Sequence, residues 1–481
     1  MGREERSVCF GVVVGTRGIF SPALAVEGRK SLLAQLSTLG YEVVITPENA
    51  TPNGAVETSA DASKCAALFQ ARRSEIDGIV VSLPNFGDEL GIVQALELAG
   101  LNVPVLVHAF DDDPTKVSLS ERRDAFCGKV SVCNNLYQYD IPWTDTAEHT
   151  CPVDSPEFAA DLARFAAVCR VVRGLRGCRI GQIGTRPGAF QTVRFSEKLL
   201  QSTGITVVPV DLSEIIAAAA KIRENTKELQ EKLGLIKGYG SIPDRVPKEN
   251  VLRQARLSVA VDRWMAENGC AASAIQCWES IQKNYGCATC LSMALMGEEG
   301  KPSACEVDIT GAVSMLALRL ASGSAPGFLD WNNNYGTDRD KCVNTHCSNF
   351  PKSFIGGDIE ISELDVLGAS LGKDRCFGAI KGKVKSGPMT YFRMHTDDEL
   401  GTCRAYVGEG EFTDDPFPMD GGIAVCRIDG LRQVLHHITA EGFEHHVAMV
   451  RGNCAAAVYE ATAKYLGWDV YWHNGPNGKA G

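Results

Sequence analysis

The chain has 481 residues, 44% of them hydrophobic and 22% charged, with a formal net charge of −11. That balance is ordinary for a globular protein, argues against disorder and excludes a generally basic nucleic-acid-binding surface. No apolar run approaches the roughly 20 residues that span a bilayer, and the opening MGREERSVCF lacks a signal-peptide core, so a cytoplasmic protein with no membrane partner is expected.

The length is too great for one ordinary core and suggests about three domains. Eighteen cysteines are scattered, mostly inside apolar runs such as VCF, AVCR and GNCAAA, which reads as reduced thiols serving as small core hydrophobes. Cys287-Ala288-Thr289-Cys290 is the one CxxC; a zinc or redox role would want a second such pair or a thioredoxin-like setting, and neither is visible.

In residues 1–170, Ser7 to Gly15 is a continuous apolar run typical of a strand covered on both faces, and Ala25 to Leu39 follows with helical spacing. Strands are predicted at Tyr41 to Thr46, Asp77 to Leu83 and Val103 to Ala109, with helices near 60–74 and 88–99. This alternation implies a doubly wound parallel sheet whose ligand-facing loops lie at the carboxyl ends of strands. Thr16-Arg17-Gly18, Pro84-Asn85-Phe86 and His108 to Asp113 occupy such ends, and no GxGxxG follows the first strand. Arg17 reads equally well as a solvated loop residue.

Residues 171–300 repeat the pattern: a strand at Cys178 to Ile183, a helix near Gln191 to Ser202 and a strand at Ile205 to Val210. Arg186, in Gly184-Thr185-Arg186-Pro187-Gly188, follows a strand end and suits either a cleft or a turn set by Pro and Gly. Glu214 to Leu235 and Lys248 to Asn268 are predicted as long amphipathic helices. Ala272 to Trp278 is a strand that ends in Gln276 and Trp278, the latter a core residue on composition alone.

Residues 301–481 begin with Glu306 opening an apolar helical run that ends at Ala321-Ser322-Gly323. Asp330 then stands at the tip of Gly327-Phe328-Leu329. Taken singly, the first carboxylate suits a helix dipole and the second a turn. Short segments separated by turn residues follow, at Asp358 to Leu364, Cys376 to Val384, Pro388 to His395, Gly401 to Gly408 and Gly422 to Asp429, which suggests an antiparallel β-sandwich or barrel. A helix at Cys454 to Leu466 and a strand at Trp468 to Trp472 close the chain.

The pattern CEVDITGA, then LDWNN with Asp330 lying 24 positions after Glu306, then HCSNFP, resembles the C-terminal half of the L-fucose/L-arabinose isomerase superfamily. FGAIKGKVKSGPMTYFRMH and YVGEGE extend the resemblance, which covers about 272–474 by motif and the earlier residues only by architecture. The resemblance implies that Glu306 and Asp330 bind a divalent metal, usually Mn²⁺, and flank the C1–C2 bond of an open-chain sugar. It places the third ligand at His446, in Glu444-His445-His446-Val447, with His445 where the family has Asn. His346 corresponds to a ligand of the arabinose branch, whereas Asp330, where that branch has Glu, favours the fucose-like set. The QCW segment implies that Gln276 and Trp278 line the sugar site. Arg17 and the Asn85-Phe86 loop would reach the sugar of a neighbouring subunit in a homotrimer or homohexamer.

An aldose-ketose isomerase moves a proton between adjacent carbons through an enediol. A hard cation held by carboxylates stabilises the enediolate, and two carboxylates on opposite sides of the bond act as base and acid. The imidazole of His446 suits Mn²⁺, Fe²⁺ or Zn²⁺. Arg17 and Arg186, if both face the cleft, suit an anionic substituent such as a sulfonate or phosphate. The competing readings are a sugar-binding or sensor protein without catalysis, and another metal-dependent carbohydrate enzyme such as an epimerase or aldolase.

Overall fold

The apolar run at the start of the chain forms a central strand, β1 (Cys9–Val14), every residue of which is buried. A computed structural model describes residues 6–475. β1 pairs in parallel with β2 (Glu42–Ile45) and β3 (Gly78–Leu83), and β4 (Val105–Ala109) and β5 (Thr144–Asp145) extend the sheet in the order β2-β1-β3-β4-β5. The chain reverses direction across the sheet between β1 and β3, so the loops at their carboxyl ends frame a crevice. Thr16, Arg17, Asn85 and Phe86 stand there, and Asn85 Nδ2 donates to Thr16 Oγ1 at 3.0 Å. His108, expected in a ligand-facing loop, instead points inward: it is fully buried, bonded to Ser82 Oγ and the Cys151 carbonyl.

The chain divides into two compact units. One holds the residues up to Gly174 together with Glu460–Gly467, and the other holds Leu175–Tyr459 and the residues from Trp468 onward. Within the second unit, β6 (Arg179–Ile183), β7 (Thr206–Val210), β8 (Ala272–Ile275) and β9 (Ser303–Ala304) form another parallel sheet, ordered β7-β6-β8-β9. The helix predicted from Glu214 to Leu235 is two helices, Leu212–Ala220 and Lys227–Tyr239. The break at residues 221–226 contains Asn225 and Thr226, side chains that compete with helical hydrogen bonding and favour helix starts.

The remaining strands are β10 (Gly327–Tyr335), β11 (Asp338–His346), β12 (Glu360–Glu363), β13 (Phe377–Lys383), β14 (Gly387–Asp397), β15 (Thr402–Thr413), β16 (Gly422–Arg427), β17 (His446–Arg451) and β18 (Asp469–Trp472). Antiparallel pairings run β16-β11-β10-β17-β14-β15 and return from β15 to β16, which closes a ring of six. The expected purely antiparallel character needs correcting. β13 joins β16 in parallel through Gly382 and Lys383, and β18 joins β15 in parallel, so the sheet as a whole is mixed. The helix Ile309–Ser322, buried along nearly its whole length, starts at Asp308, whose carboxylate caps Gly311 N at 2.7 Å, and ends at Gly323 in the left-handed conformation. Among the described residues no helix is long and apolar enough to cross a membrane.

Candidate active site

Glu306 follows β9, just beyond the carboxyl end of the second parallel sheet, and it does not open the helix as its spacing suggests. Glu306 and Val307 both have positive φ, 57° and 58°, and Asp308 is the helix cap. A branched residue such as Val307 is rarely held in this region, so the surroundings fix a strained turn that aims the carboxylate. Asp330 likewise is not at a strand tip but inside β10, directly opposite His446 of β17 and Thr345 of β11. Directly opposed residues on antiparallel strands share a face, which brings the Asp330 and His446 side chains together.

The donor atoms converge. His446 Nε2 lies 2.9 Å from Glu306 Oε2 and 3.5 Å from Asp330 Oδ1. Both oxygens are buried and hydrogen-bonded to nothing, since the 2.9 Å approach of His446 is not aligned as a hydrogen bond. Separations near 3 Å match neighbouring donors around a six-coordinate cation with bonds of about 2.1 Å. His346 Nε2 stands 3.7 Å from Glu306 Oε2; Glu306, His346 and His446 form one set of donors within 4.8 Å of one another, and Asp330, His445 and His446 form another that shares His446. His445 Nε2 is 3.7 Å from Asp330 Oδ1, and its side chain is 44% exposed.

The other atoms of these side chains are held in place. Trp278 Nε1 donates to Glu306 Oε1 at 3.0 Å, which leaves Oε2 facing the cluster. His446 Nδ1 lies 2.8 Å from Asp308 Oδ2, and a carboxylate on one ring nitrogen commits the other to a metal. Asp308 is wholly buried and pairs with the guanidinium of Arg393, itself wholly buried, at 2.7 and 3.2 Å. Arg393 Nε donates to Glu444, which also bonds His395 Nδ1 at 2.9 Å. Burial alone would raise the Glu306 carboxyl, but the imidazoles of His346 and His446 outweigh it and bring it to about 2. Burial would lower His446, yet Asp308 and Glu306 outweigh it and raise the imidazole to about 9.

These groups open on a cavity of about 430 Å³ lined among others by Phe190, Trp278, Leu364, Lys381 and Met419. Lys381 Nζ is paired with Asp420 at 2.6 Å and Asp365 at 3.3 Å. Gln276 accepts from Thr185 N at 3.1 Å, so it braces two strand ends. Arg186 lies with Arg194 in a different cavity of about 620 Å³, and its guanidinium bonds the carbonyls of Pro187, Gly188 and Phe190. Arg17 belongs to the first unit, where it pairs with Glu89 and lies over the Phe86 ring, 4.3 Å from its centroid. Asp308, Arg393 and His395 carry little signal in the sequence because each acts through a partner 49 to 138 positions away. The only local signal was Asp308 before a helical run.

Residues 11–176 match the N-terminal domain of fucose/sulfoquinovose isomerases, and residues 344–473 match the C-terminal domain of L-fucose isomerase. Among curated proteins the chain is 26% identical over 399 residues to a sulfoquinovose isomerase of Priestia megaterium, covering 82% of this chain and 85% of that one. It is 29% identical over 323 residues to a sulfoquinovose isomerase of Alkalicoccus urumqiensis, covering 64% and 68% respectively. These matches define the chain as an intramolecular oxidoreductase of the aldose-ketose isomerase class. It belongs to the fucose isomerase superfamily, with that family's N-terminal and C-terminal domains both present.

Proposed function

We propose that this chain interconverts the aldose and ketose forms of a sulfonated hexose of the sulfoquinovose type, with a divalent cation, preferentially Mn²⁺, held by Glu306, Asp330 and His446. The observation that carries the reading is the pair of buried oxygens, Glu306 Oε2 and Asp330 Oδ1, that face His446 Nε2 without a hydrogen bond. Buried acceptors are rarely left unpaired, and a cation satisfies both at once. The sulfonated substrate is supported by the names of the relatives.

When bound, the cation would supply the positive charge that stabilises the enediolate oxygens. Glu306 and Asp330 then exchange protons with the two reacting carbons, one as base and the other as acid. Trp278 keeps one Glu306 oxygen occupied so that the other serves the reaction, and Asp308 keeps His446 turned so that Nε2 faces the substrate side. Phe190, Leu364 and Met419 give the cavity an apolar wall that excludes water. Lys381, which lines the same cavity, would meet the sulfonate; Arg186 and Arg194 line the second cavity, bordered by Val307 and Glu444, that would serve as the approach, and Gln276 would brace it through Thr185. Arg17 and the Asn85-Phe86 loop would complete the site from a neighbouring subunit of a trimer or hexamer. Eighteen free cysteines suit the reducing cytoplasm, where we place the reaction.

The test is to incubate a panel of neutral and sulfonated aldoses with the Mn²⁺-loaded protein and assay for ketoses. Conversion of the sulfonated sugar, abolished by chelation and restored by Mn²⁺, is expected. Preferential turnover of L-fucose or L-arabinose would overturn the substrate assignment, and full turnover after metal removal would overturn the mechanism.

A further inference from the structure

Three thiols converge behind the carboxylate cluster, from stretches of sequence that share no motif. Cys305 immediately precedes Glu306, Cys347 immediately follows His346, and Cys290 opens the helix Cys290–Glu298. The donor atoms of Cys305, His346 and Cys347 all lie within 4.8 Å of one another, with His346 Nδ1 3.3 Å from Cys347 Sγ. The fully buried thiol of Cys290 interacts electrostatically with both Cys305 and Cys347, and that of Cys277 with Cys305. Cys290 and Cys305 are inaccessible, whereas Cys347 lines the cavity that also holds Glu306, so an ion can enter by that route.

Buried cysteines ordinarily serve as small hydrophobes, as Cys342 and Cys426 do where they meet across β11 and β16 without an imidazole. The Cys290 group differs in carrying a histidine between it and the carboxylates. His346 turns Nε2 toward Glu306 and Nδ1 toward Cys347, so it stands between an oxygen set and a sulfur set. These two sets select different ions: carboxylates suit hard cations such as Mn²⁺, and thiolates suit soft ones. Around a tetrahedral zinc ion with Zn–S bonds of about 2.3 Å, neighbouring sulfurs are about 3.8 Å apart. The donors of Cys305, His346 and Cys347, already within 4.8 Å of one another, reach that spacing by small side-chain rotations, and the Cys290 thiol, which interacts with both sulfurs, is the candidate for the fourth position.

We propose that Cys290, Cys305, Cys347 and Nδ1 of His346 form a second metal site, a Cys₃His set that takes a soft divalent cation of the zinc and cadmium class beside the hard carboxylate site. A cation there would fix the His346 ring with Nε2–H directed at Glu306, so the two sites would share a wall. The inference stands on the thiol geometry and does not depend on the sugar substrate.

The experiment adds Cd²⁺ to the reduced, Mn²⁺-loaded full-length protein and follows the thiolate-to-cadmium charge-transfer band while monitoring Mn²⁺ release. The band should saturate at one Cd²⁺ per chain with Mn²⁺ retained. It should fall by about a third in Cys290→Ser, Cys305→Ser or Cys347→Ser, each of which removes one of three sulfur ligands. Cys342→Ser should leave it unchanged. Cadmium NMR on the wild-type protein provides a reading that needs no variant, with a resonance in the range of sulfur-rich sites expected. Displacement of Mn²⁺ without a thiolate band, a resonance in the oxygen-ligand range, or a band indifferent to Cys305→Ser and Cys347→Ser would overturn the proposal.

Discussion

Asp308 does not line the cavity, yet it holds the His446 ring in its orientation. Its carboxylate holds one imidazole nitrogen and is itself clamped by a buried guanidinium. Asp308→Asn preserves the shape and removes the charge, so it should weaken Mn²⁺ binding about 10- to 100-fold at unchanged stoichiometry, measured by titration of free Mn²⁺. Glu306→Gln and Asp330→Asn should instead lower kcat by at least about 100-fold with the fold intact by circular dichroism, because each change removes a proposed proton carrier and a charged ligand together. Near-normal turnover in either variant would reassign that residue. Another single residue sets a pH window for the first unit. Burial lowers the His108 imidazole to about 4, whereas in the unfolded chain it titrates near 6.5. The unfolded state therefore binds the proton first as pH falls. Stability is complete above pH 6.5 and declines as pH drops toward 4, by about 3 kcal/mol in total. Equilibrium unfolding across this range should show the loss, and His108→Gln should reduce it.

At the level of elements, the site depends on register. Asp330 meets His446 because β10 and β17 pair in one alignment, and a slip of one residue would turn both side chains to opposite faces. Much of the fold was legible in the sequence because long apolar runs such as Gly78–Leu83 have few alternatives to a buried strand. The two-residue β5 and the strand His446–Arg451 carried no such signal: the first is too short, and the second begins with a histidine that reads as chemistry. Glu306 and Asp330 stand out in the sequence only through motif resemblance, and the structure sets them differently from the helix start and strand tip that their spacing suggests. Neither the left-handed turn at Glu306-Val307 nor the continuation of β10 past Asp330 has a sequence signature, since both are imposed by packing from distant segments. The Arg393 network illustrates the same limit: an arginine in an apolar strand pattern shows no partner until Asp308 and Glu444 arrive beside it. The Asn85-Phe86 loop is similarly set by a helix far along the chain. A Cβ on Gly128 would lie 1.6 Å from the Phe86 carbonyl oxygen. Gly128→Ala should therefore cost about 3 kcal/mol or displace that loop, which urea unfolding and the KM for sugar would separate.

At the scale of the whole molecule, the proposed ring makes activity a property of pairs of subunits. Arg17→Ala and Asp330→Ala chains should each be inactive alone. Co-expressed, they should regain part of the activity, because some interfaces then join an intact Arg17 loop to an intact carboxylate site. Mixed oligomers as inactive as their parents, or a monomer by light scattering, would show that each chain completes its own site.

The segment Glu460–Gly467 has a consequence for synthesis on the ribosome. Its Tyr465 hydroxyl lies 2.9 Å from Thr144 Oγ1 and bonds the Val105 backbone, and its Glu460 pairs with Arg164, so it finishes the first unit. Gly174 and Glu460 are 286 positions apart in the chain. At about 5 to 20 residues per second, the first unit would wait about 15 to 60 s on the ribosome for its last piece. During that interval the nascent sheet keeps the edge at β5 uncapped, which makes the emerging chain a client for chaperones until the final turn is translated.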